Sequence, residues 1–202
     1  MSEYIEIGDS TELNFNQKWN SYLALVLAVV MVFLGIALRN SATAATQTFE
    51  DLDAGVRAQV PQNWLLDDDG GSEFVFRAQD PGALPYKTTL QVSFLPVGPG
   101  ATPRTVLDYL HLQRATQFSA YRQISRSNET LRDGTPASRM IYAYTQVEPN
   151  PYLESKPIVV QAVDVVSLRG TQAIVVTYRE EQSRFDTNLY RFENLLNTLE
   201  IF

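Results

Sequence analysis

The 202-residue sequence contains no cysteine and only one histidine. Without cysteine, the chain cannot form disulfides, thiolate metal ligands, iron–sulfur clusters or a lipid-modified N-terminal cysteine. The single histidine, His111, cannot assemble a histidine zinc site on its own, and we expect it to be structural. The sequence also has no phosphate-binding glycine loop and no nucleophile elbow. We therefore predict no catalytic residues, no metal site and no cofactor, and we expect that the protein is not an enzyme.

Positive charge is scarce as well. Sixteen lysines and arginines stand against 23 aspartates and glutamates, which gives a net charge of −7. This charge repels phosphate backbones, so we predict no nucleic-acid partner. The hydrophobic fraction of 45% is too high for a disordered chain. The length allows one domain of ordinary size plus a tail or an anchor.

A long uncharged segment lies near the N-terminus, from Ser21 to Leu38. At about 1.5 Å per residue, a helix of this length spans roughly 27 Å, close to the ~30 Å hydrocarbon core of a bilayer. The segment is apolar all round, which disfavours a buried helix of a soluble protein. Lys18 and Arg39 flank it as charges that can reach the headgroups. We predict a transmembrane helix over residues 20–39, with the lipid bilayer as its partner.

The alternative for this segment is a cleaved signal peptide, because small residues follow the apolar run at Ala42, Ala44 and Ala45. The region before the run argues against cleavage. It is about 20 residues long and carries four acidic residues against one lysine, whereas the corresponding part of a secretory signal is short and positive. An uncleaved anchor is therefore favoured.

The predicted organisation has four parts. Residues 1–19 form a cytoplasmic tail, and the single-pass helix follows. The small polar residues 40–50 read as a linker. Residues 51–202 then form a domain that we expect to be extracytoplasmic, either periplasmic or extracellular, as is usual when a signal anchor has a short N-terminal tail and a large C-terminal domain.

Alternating apolar residues predict strands in the domain. The first two, at 56–60 and 74–76, flank an Asp- and Gly-rich turn and are predicted to form a hairpin. A third strand follows at 90–94. Four more are predicted after the first helix of the domain, at 121–127, 138–147, 158–168 and 171–178. Gly170 separates the last two, and its tolerance of positive φ predicts a second hairpin.

Two helices are predicted in the domain. Thr102 has the character of an N-cap and Pro103 that of a first helical residue, so a helix of about 15 residues should start here. A closing helix follows Ser183 and Asp186, which have capping-box spacing. Its apolar stripe is narrow and consists of Phe185, Leu189, Phe192, Leu196 and Leu199.

The predicted order is therefore β-β-β-α-β-β-β-β-α, an α+β fold with an antiparallel sheet covered by two helices. The order of elements, the segment Val60-Pro61-x-x-Trp64 and the closing Leu195-Leu196-x-x-Leu199 resemble the PsbP-like α/β/α sandwich. That fold is shared by extrinsic photosystem proteins, Ran-binding import factors and bacterial envelope lipoproteins. The resemblance implies the architecture and a tendency toward accessory, non-catalytic roles, and it assigns no functional residue.

Two acidic features of the domain are candidate binding sites: a single aspartate within a strand and a cluster of acidic residues in a turn. Asp164 lies within an apolar strand, so it needs a partner. An ion pair with an arginine is favoured over contact with a ligand. The run Asp67–Asp69 and nearby Glu73 lack the spacing of a calcium loop, so a solvated turn is expected there.

Two sets of residues are interface candidates. Tyr142 and Tyr144 repeat on one face of their strand, and Tyr152 follows in a Pro-rich loop. Tyrosine supplies much of the energy of many interfaces, although core tyrosines with a satisfied hydroxyl are the alternative. In the apolar helix, the small residues Ala24, Ala28 and Gly35 share a face that allows close helix contact, with lipid contact as the alternative.

The hypothesis that follows is an accessory subunit or assembly factor of a larger membrane protein complex, whose other subunits are its partners. The resemblance to photosystem proteins suggests an electron-transport or photosynthetic complex as the host. The alternative is a membrane-anchored module that binds a small ligand in the cleft between sheet and helix.

Overall fold

The computed structural model describes residues 15–43, 45–71, 73–147 and 156–202. The chain divides into two compact units, Met1–Ala45 and Thr46–Phe202. In the first unit, helix α1 extends over Phe15–Thr43 and includes the predicted transmembrane segment. The second unit contains every described strand and two further helices, so the predicted α+β class is confirmed.

The second unit contains twelve described elements in the following order. They are β1 (Thr46–Asp51), β2 (Val56–Pro61), β3 (Leu65–Asp67), β4 (Phe76–Gln79), β5 (Thr89–Pro96), α2 (Pro103–Gln117), β6 (Ser119–Thr130), β7 (Pro136–Gln146), β8 (Ile158–Arg169), β9 (Gln172–Glu181), α3 (Phe185–Thr198) and β10 (Glu200–Ile201).

These strands form two antiparallel sheets. The larger has seven strands in the order β3-β4-β5-β9-β8-β7-β6, and the smaller has the order β1-β2-β10. The central strands β8 and β9 are buried on both faces. One face packs against Val106, Leu107 and Leu110 of α2. The other packs against β2 and against Phe185, Phe192 and Leu195 of α3. The domain is thus a layered sandwich with the large sheet in the middle.

The predicted hairpin between 56–60 and 74–76 is wrong. Strand β2 pairs with β1 and β10, whereas β4 pairs with β3 and β5 in the other sheet. The alternation of Val56, Ala58 and Val60 does mark a buried face, since all three are at most 1% exposed. Alternation specifies a buried face but not a partner strand, and here the buried face of β2 packs onto the large sheet.

The predicted linker at 40–50 is also wrong. Helix α1 continues to Thr43, and β1 begins at Thr46. Burial of Phe49 stabilises β1, and its ring centroid lies 4.5 Å from that of Phe76. Small polar residues therefore did not mark a spacer, since their backbone groups pair with β2 and one aromatic side chain enters the core.

The two domain helices begin differently. At α2, the predicted cap is confirmed: the backbone N–H of Thr105 donates to Thr102 Oγ1 at 3.2 Å, and Pro103 follows the cap. At α3, the predicted capping box is wrong, because Arg184 occupies the N-cap without a side-chain cap. Ser183 instead donates its hydroxyl to Glu181 Oε1 at 3.0 Å.

The predicted hairpin between β8 and β9 is present in the structure. Gly170 has φ +58° in the turn where Arg169 pairs with Gln172, as predicted. Among the strands that the structure describes, β6 forms one edge of this sheet and pairs with β7 alone. Its register shifts twice, between Ser119 and Arg122 and between Gln123 and Ser125, so the edge is interrupted by bulges.

Replacing the N-cap of α2 tests its contribution to stability. In T102A, the amide of Thr105 loses its acceptor, and we expect the free energy of unfolding to fall by about 1 kcal/mol. Thermal unfolding followed by circular dichroism measures the change. The control is T116A, at an exposed position of the same helix, which should change stability by less than about 0.5 kcal/mol. Equal effects of the two substitutions would contradict the assigned cap.

Candidate functional site

Helix α1 contains one segment, Lys18–Ile36, that is long and apolar enough to cross a membrane by length and composition. It is the only such helix among the described residues. Ala24, Ala28 and Gly35 are spaced by four and seven residues, so they lie on one face, and all three are exposed. A Cβ built at Gly35 meets no atom within 4 Å, so this face is open to a neighbouring helix or to lipid.

The predicted tyrosine docking surface is wrong. Tyr142 is 0% and Tyr144 is 3% exposed, so neither side chain is available to a partner. Both lie beneath α2, and the ring of Phe118 stacks on that of Tyr144 with a centroid distance of 4.0 Å. Burial raises the pKa of both phenols above the ordinary value. The alternative, core tyrosines, is the one the structure shows. Tyr152 lies outside the described residues.

Asp164 is completely buried on the same face of the sheet. Thr177 donates its hydroxyl to Asp164 Oδ1 at 2.7 Å, and Arg114 Nε donates to Oδ2 at 3.4 Å. The hydroxyl of Tyr142 is 3.5 Å from Oδ1. The predicted ion pair is therefore confirmed, and its arginine comes from α2, which fixes this helix on the sheet.

A second guanidinium, that of Arg179, lies close to this ion pair. The Cζ atoms of Arg114 and Arg179 are 5.8 and 5.7 Å from the centre of the Phe118 ring. Burial lowers the pKa of Arg179, but the tyrosine hydroxyls around it and Asp164 outweigh burial, and the net pKa is raised. Asp164 thus forms its ion pair with Arg114, and its charge also acts on nearby Arg179.

The single histidine is part of the same layer. His111 Nδ1 is 2.9 Å from the hydroxyl of Tyr121, and the two rings lie 5.4 Å apart. Burial, followed by the charge of Asp164, raises the pKa of Tyr121 to about 12. Within the described part of the chain, no group of three or more histidine or acidic residues is arranged to hold a metal ion.

Sequence reasoning missed a second buried carboxylate. Glu180 is 0% exposed and lies on the opposite face of the sheet. It accepts hydrogen bonds from Thr88 Oγ1 at 2.6 Å and Asn188 Nδ2 at 3.1 Å, and Arg184 lies 3.1 Å away. The sequence does contain a pattern that indicates its burial. Alternation places four residues on one face of β9, namely Ile174, Val176, Tyr178 and Glu180. The other charged residues at the end of that strand obscure this pattern.

Arg191 of α3 contacts two other segments of the domain. The guanidinium stacks on the ring of Trp64, with Cζ 5.5 Å from its centre, and it contacts Asp80 Oδ2 at 3.3 Å. Arg191 Nε donates to the hydroxyl of neighbouring Tyr190 at 3.1 Å. One guanidinium thereby joins α3 to the segments of Trp64 and Asp80, which are distant from it in sequence.

Each of these segments presents an exposed apolar side chain. The exposures are 63% for Leu65, 70% for Leu84 and 50% for Tyr190. We call these three residues together with Arg191 the Arg191 patch. The turn that carries Leu84 is held by Asp80, whose Oδ1 accepts from the amide of Gly82 at 2.9 Å. Tyrosine and arginine are enriched in protein interfaces, and the exposed leucines add apolar area.

Three solved structures show which fold this is. Cyanobacterial PsbP (CyanoP) from Synechocystis sp. PCC 6803 is 17% identical, with a TM-score of 0.56 over 79% of this chain and 94% of that one. LpqN of Mycobacterium tuberculosis, involved in cell envelope biogenesis, is 15% identical, with a TM-score of 0.52 over 78% and 90%. PA94 from Pseudomonas aeruginosa, a putative regulator, is 11% identical, with a TM-score of 0.50 over 79% and 99%. The predicted PsbP-like fold is confirmed.

The likeness concerns the fold alone, since all three identities are below a fifth. No protein-family model matches the chain, and no curated protein does.

Removal of the buried charge at Asp164 tests the role of the ion pair. D164N keeps the shape of the side chain but leaves Arg114 without its anion, so we expect the free energy of unfolding to fall by about 3–5 kcal/mol. Urea unfolding followed by circular dichroism measures it. The matched control is D108N, which breaks the exposed ion pair of Asp108 with Arg126 and should cost less than about 1 kcal/mol. The assigned role is lost if the two variants are equally stable.

Proposed function

We propose that this protein is a non-catalytic accessory subunit or assembly factor of a larger membrane complex. In this proposal α1 spans the membrane once and the PsbP-like domain is extracytoplasmic, periplasmic or extracellular. The other subunits of the complex are its partners, and an electron-transport or photosynthetic complex is its host.

The Arg191 patch is the observation that carries the proposal. Its three apolar side chains are exposed, while Arg191 and Asp80 make contacts that fix the neighbouring segments. A partner that covers such a surface gains apolar burial and loses little side-chain entropy, since the surface is already ordered. This favours a protein partner that presents an apolar surface.

Helix α1 and the fold of the domain provide two separate arguments for an accessory subunit of a membrane complex. Segment Lys18–Ile36 has the length and composition for membrane insertion. An anchor keeps the domain at the membrane, so a partner in the membrane is met at high effective concentration. The PsbP-like fold neighbours suggest an accessory role, and one of them is a cyanobacterial PsbP, which supports a photosynthetic or related host.

Substitutions in the Arg191 patch test the docking surface. The double variant L84D/Y190A removes two exposed apolar side chains and adds a charge, and we expect affinity for the complex to fall at least 30-fold, as for loss of an interface hot spot. Quantitative pull-down from native membranes in mild detergent measures it.

The control for this surface is L52D, because Leu52 is 73% exposed in the turn after β1 and lies outside the patch. It should co-purify with partners as the unmodified chain does. Undiminished recovery of partners with L84D/Y190A would exclude this surface, and equal loss with L52D would show that any added charge weakens the association.

The small-residue face of α1 gives a separate test. A28L/G35L should weaken assembly, because bulky side chains keep a neighbouring helix at a distance. The helix itself should tolerate the change, since nothing lies within 4 Å of a Cβ at Gly35. Blue-native gels report assembly and carbonate extraction reports insertion. The matched control, V26L/F33L on the opposite face, should leave both unchanged; normal assembly of A28L/G35L would assign this face to lipid.

A further inference from the structure

A cleft of about 610 Å³ opens beside the C-terminal end of α3. Its walls are the turn between β6 and β7, the turn between β8 and β9, the last turn of α3 and strand β10. This volume lies within the range of small-molecule sites. The cleft contains none of the residues of the Arg191 patch, so it is a separate surface of the domain.

The cleft is divided into an apolar and a cationic part. Leu196, Leu199 and Ile201 line the side formed by α3 and β10, and all three are half-buried apolar residues that border the core. Arg132 and Arg169 line the side formed by the two strand turns, and both are exposed. A ligand with an apolar end and an anionic end could therefore contact both sides of the cleft.

Both carboxylates of the cleft are already engaged. Asp133 accepts the backbone N–H and the hydroxyl of Thr135 at 2.9 and 2.8 Å, and these hydrogen bonds lower its pKa. Glu200 forms an ion pair with Arg57 at 3.6 Å. Among the described residues, no carboxylate forms an ion pair with Arg132 or Arg169. Two guanidiniums without an ion-pair partner form a local cationic site that can bind an anion, even though the net charge of the chain is negative.

The end of α3 determines which way a ligand lies. The carbonyl groups at the C-terminus of a helix carry partial negative charge and repel anions. Thr198 donates its hydroxyl to the carbonyls of Asn194 and Leu195 at 2.8 and 3.2 Å, which occupies only part of them. An anionic head is thus disfavoured beside α3 and favoured at the two arginines, while the apolar wall takes the other end.

We propose that this cleft binds a small anionic amphiphile, with a phosphate head at Arg132 and Arg169 and an alkyl body against Leu196, Leu199 and Ile201. This inference goes beyond the accessory role and does not depend on it. The phosphate chemistry is shared by soluble alkyl phosphates and by anionic lipid headgroups, which the experiment separates.

The experiment uses the full chain in phosphatidylcholine nanodiscs, with the isoleucine methyl groups labelled for NMR. Octyl phosphate should shift the methyl signals of Ile174 and Ile201, which line the cleft, and saturate. Ile158, at the other end of β8, is the internal reference and should not shift. Butyl phosphate should bind at least tenfold more weakly, because each buried methylene contributes about fourfold in affinity.

Charge variants test the head-binding side. R132Q/R169Q should weaken octyl phosphate binding by about tenfold, while R104Q, an exposed arginine on α2, should have no effect. Three results would overturn the proposal: octanol binding as tightly as octyl phosphate, inorganic phosphate producing the same shifts, or no loss in R132Q/R169Q.

The source of the anion is separated by changing the disc. Nanodiscs containing phosphatidylglycerol, without added amphiphile, should shift Ile174 and Ile201 if a membrane lipid supplies the head. Binding of octyl phosphate with no such shift identifies a soluble amphiphile. If neither probe shifts these signals, the cleft is not an amphiphile site, whatever the result for partner co-purification.

Discussion

The domain depends on the compensation of two carboxylates that have no exposed surface. Asp164 and Glu180 lie on opposite faces of the large sheet, on the neighbouring central strands β8 and β9. A buried charge is tolerated only with partners. Asp164 has Thr177 within the sheet and Arg114 of α2, and Glu180 has Thr88 and Asn188 of α3. The two helices are therefore fixed by charge as well as by apolar packing, and neither can slide without exposing an unpaired ion.

The surfaces that face solvent follow from this arrangement. Because α3 is held at its start by Glu180 and along its inner side by Phe192 and Leu195, its outer residues Tyr190 and Arg191 have fixed positions. The same helix ends beside the cleft, so one element borders both proposed contacts, with macromolecule and with amphiphile. Many functions share this fold, and the proposed contacts of this protein depend on a few surface residues whose positions the packed elements fix.

Local patterns predicted the elements whose identity is set by neighbours in sequence. The cap at Thr102, the turn at Gly170 and the strands at 158–168 and 171–178 are of this kind. Partners that are distant in sequence could not be predicted: the pairing of β10 with β2 joins residues far apart in the chain. Tyr142 looked like an interface residue because alternation marks a face but not whether a helix covers it. The Arg191 patch had no local signal, since its segments meet only in the folded domain.

The bulged edge of β6 affects whether copies of this domain can pair edge to edge. Confinement to a bilayer would bring copies of this domain together in two dimensions, where any regular strand edge invites lateral sheet growth. Strand β6 is twelve residues long, and no described strand pairs with its outer side, but its two bulges break the regular spacing of donors and acceptors. The opposite edge, β3, is only three residues long. Both edges therefore disfavour the growth of a continuous sheet between copies of the domain.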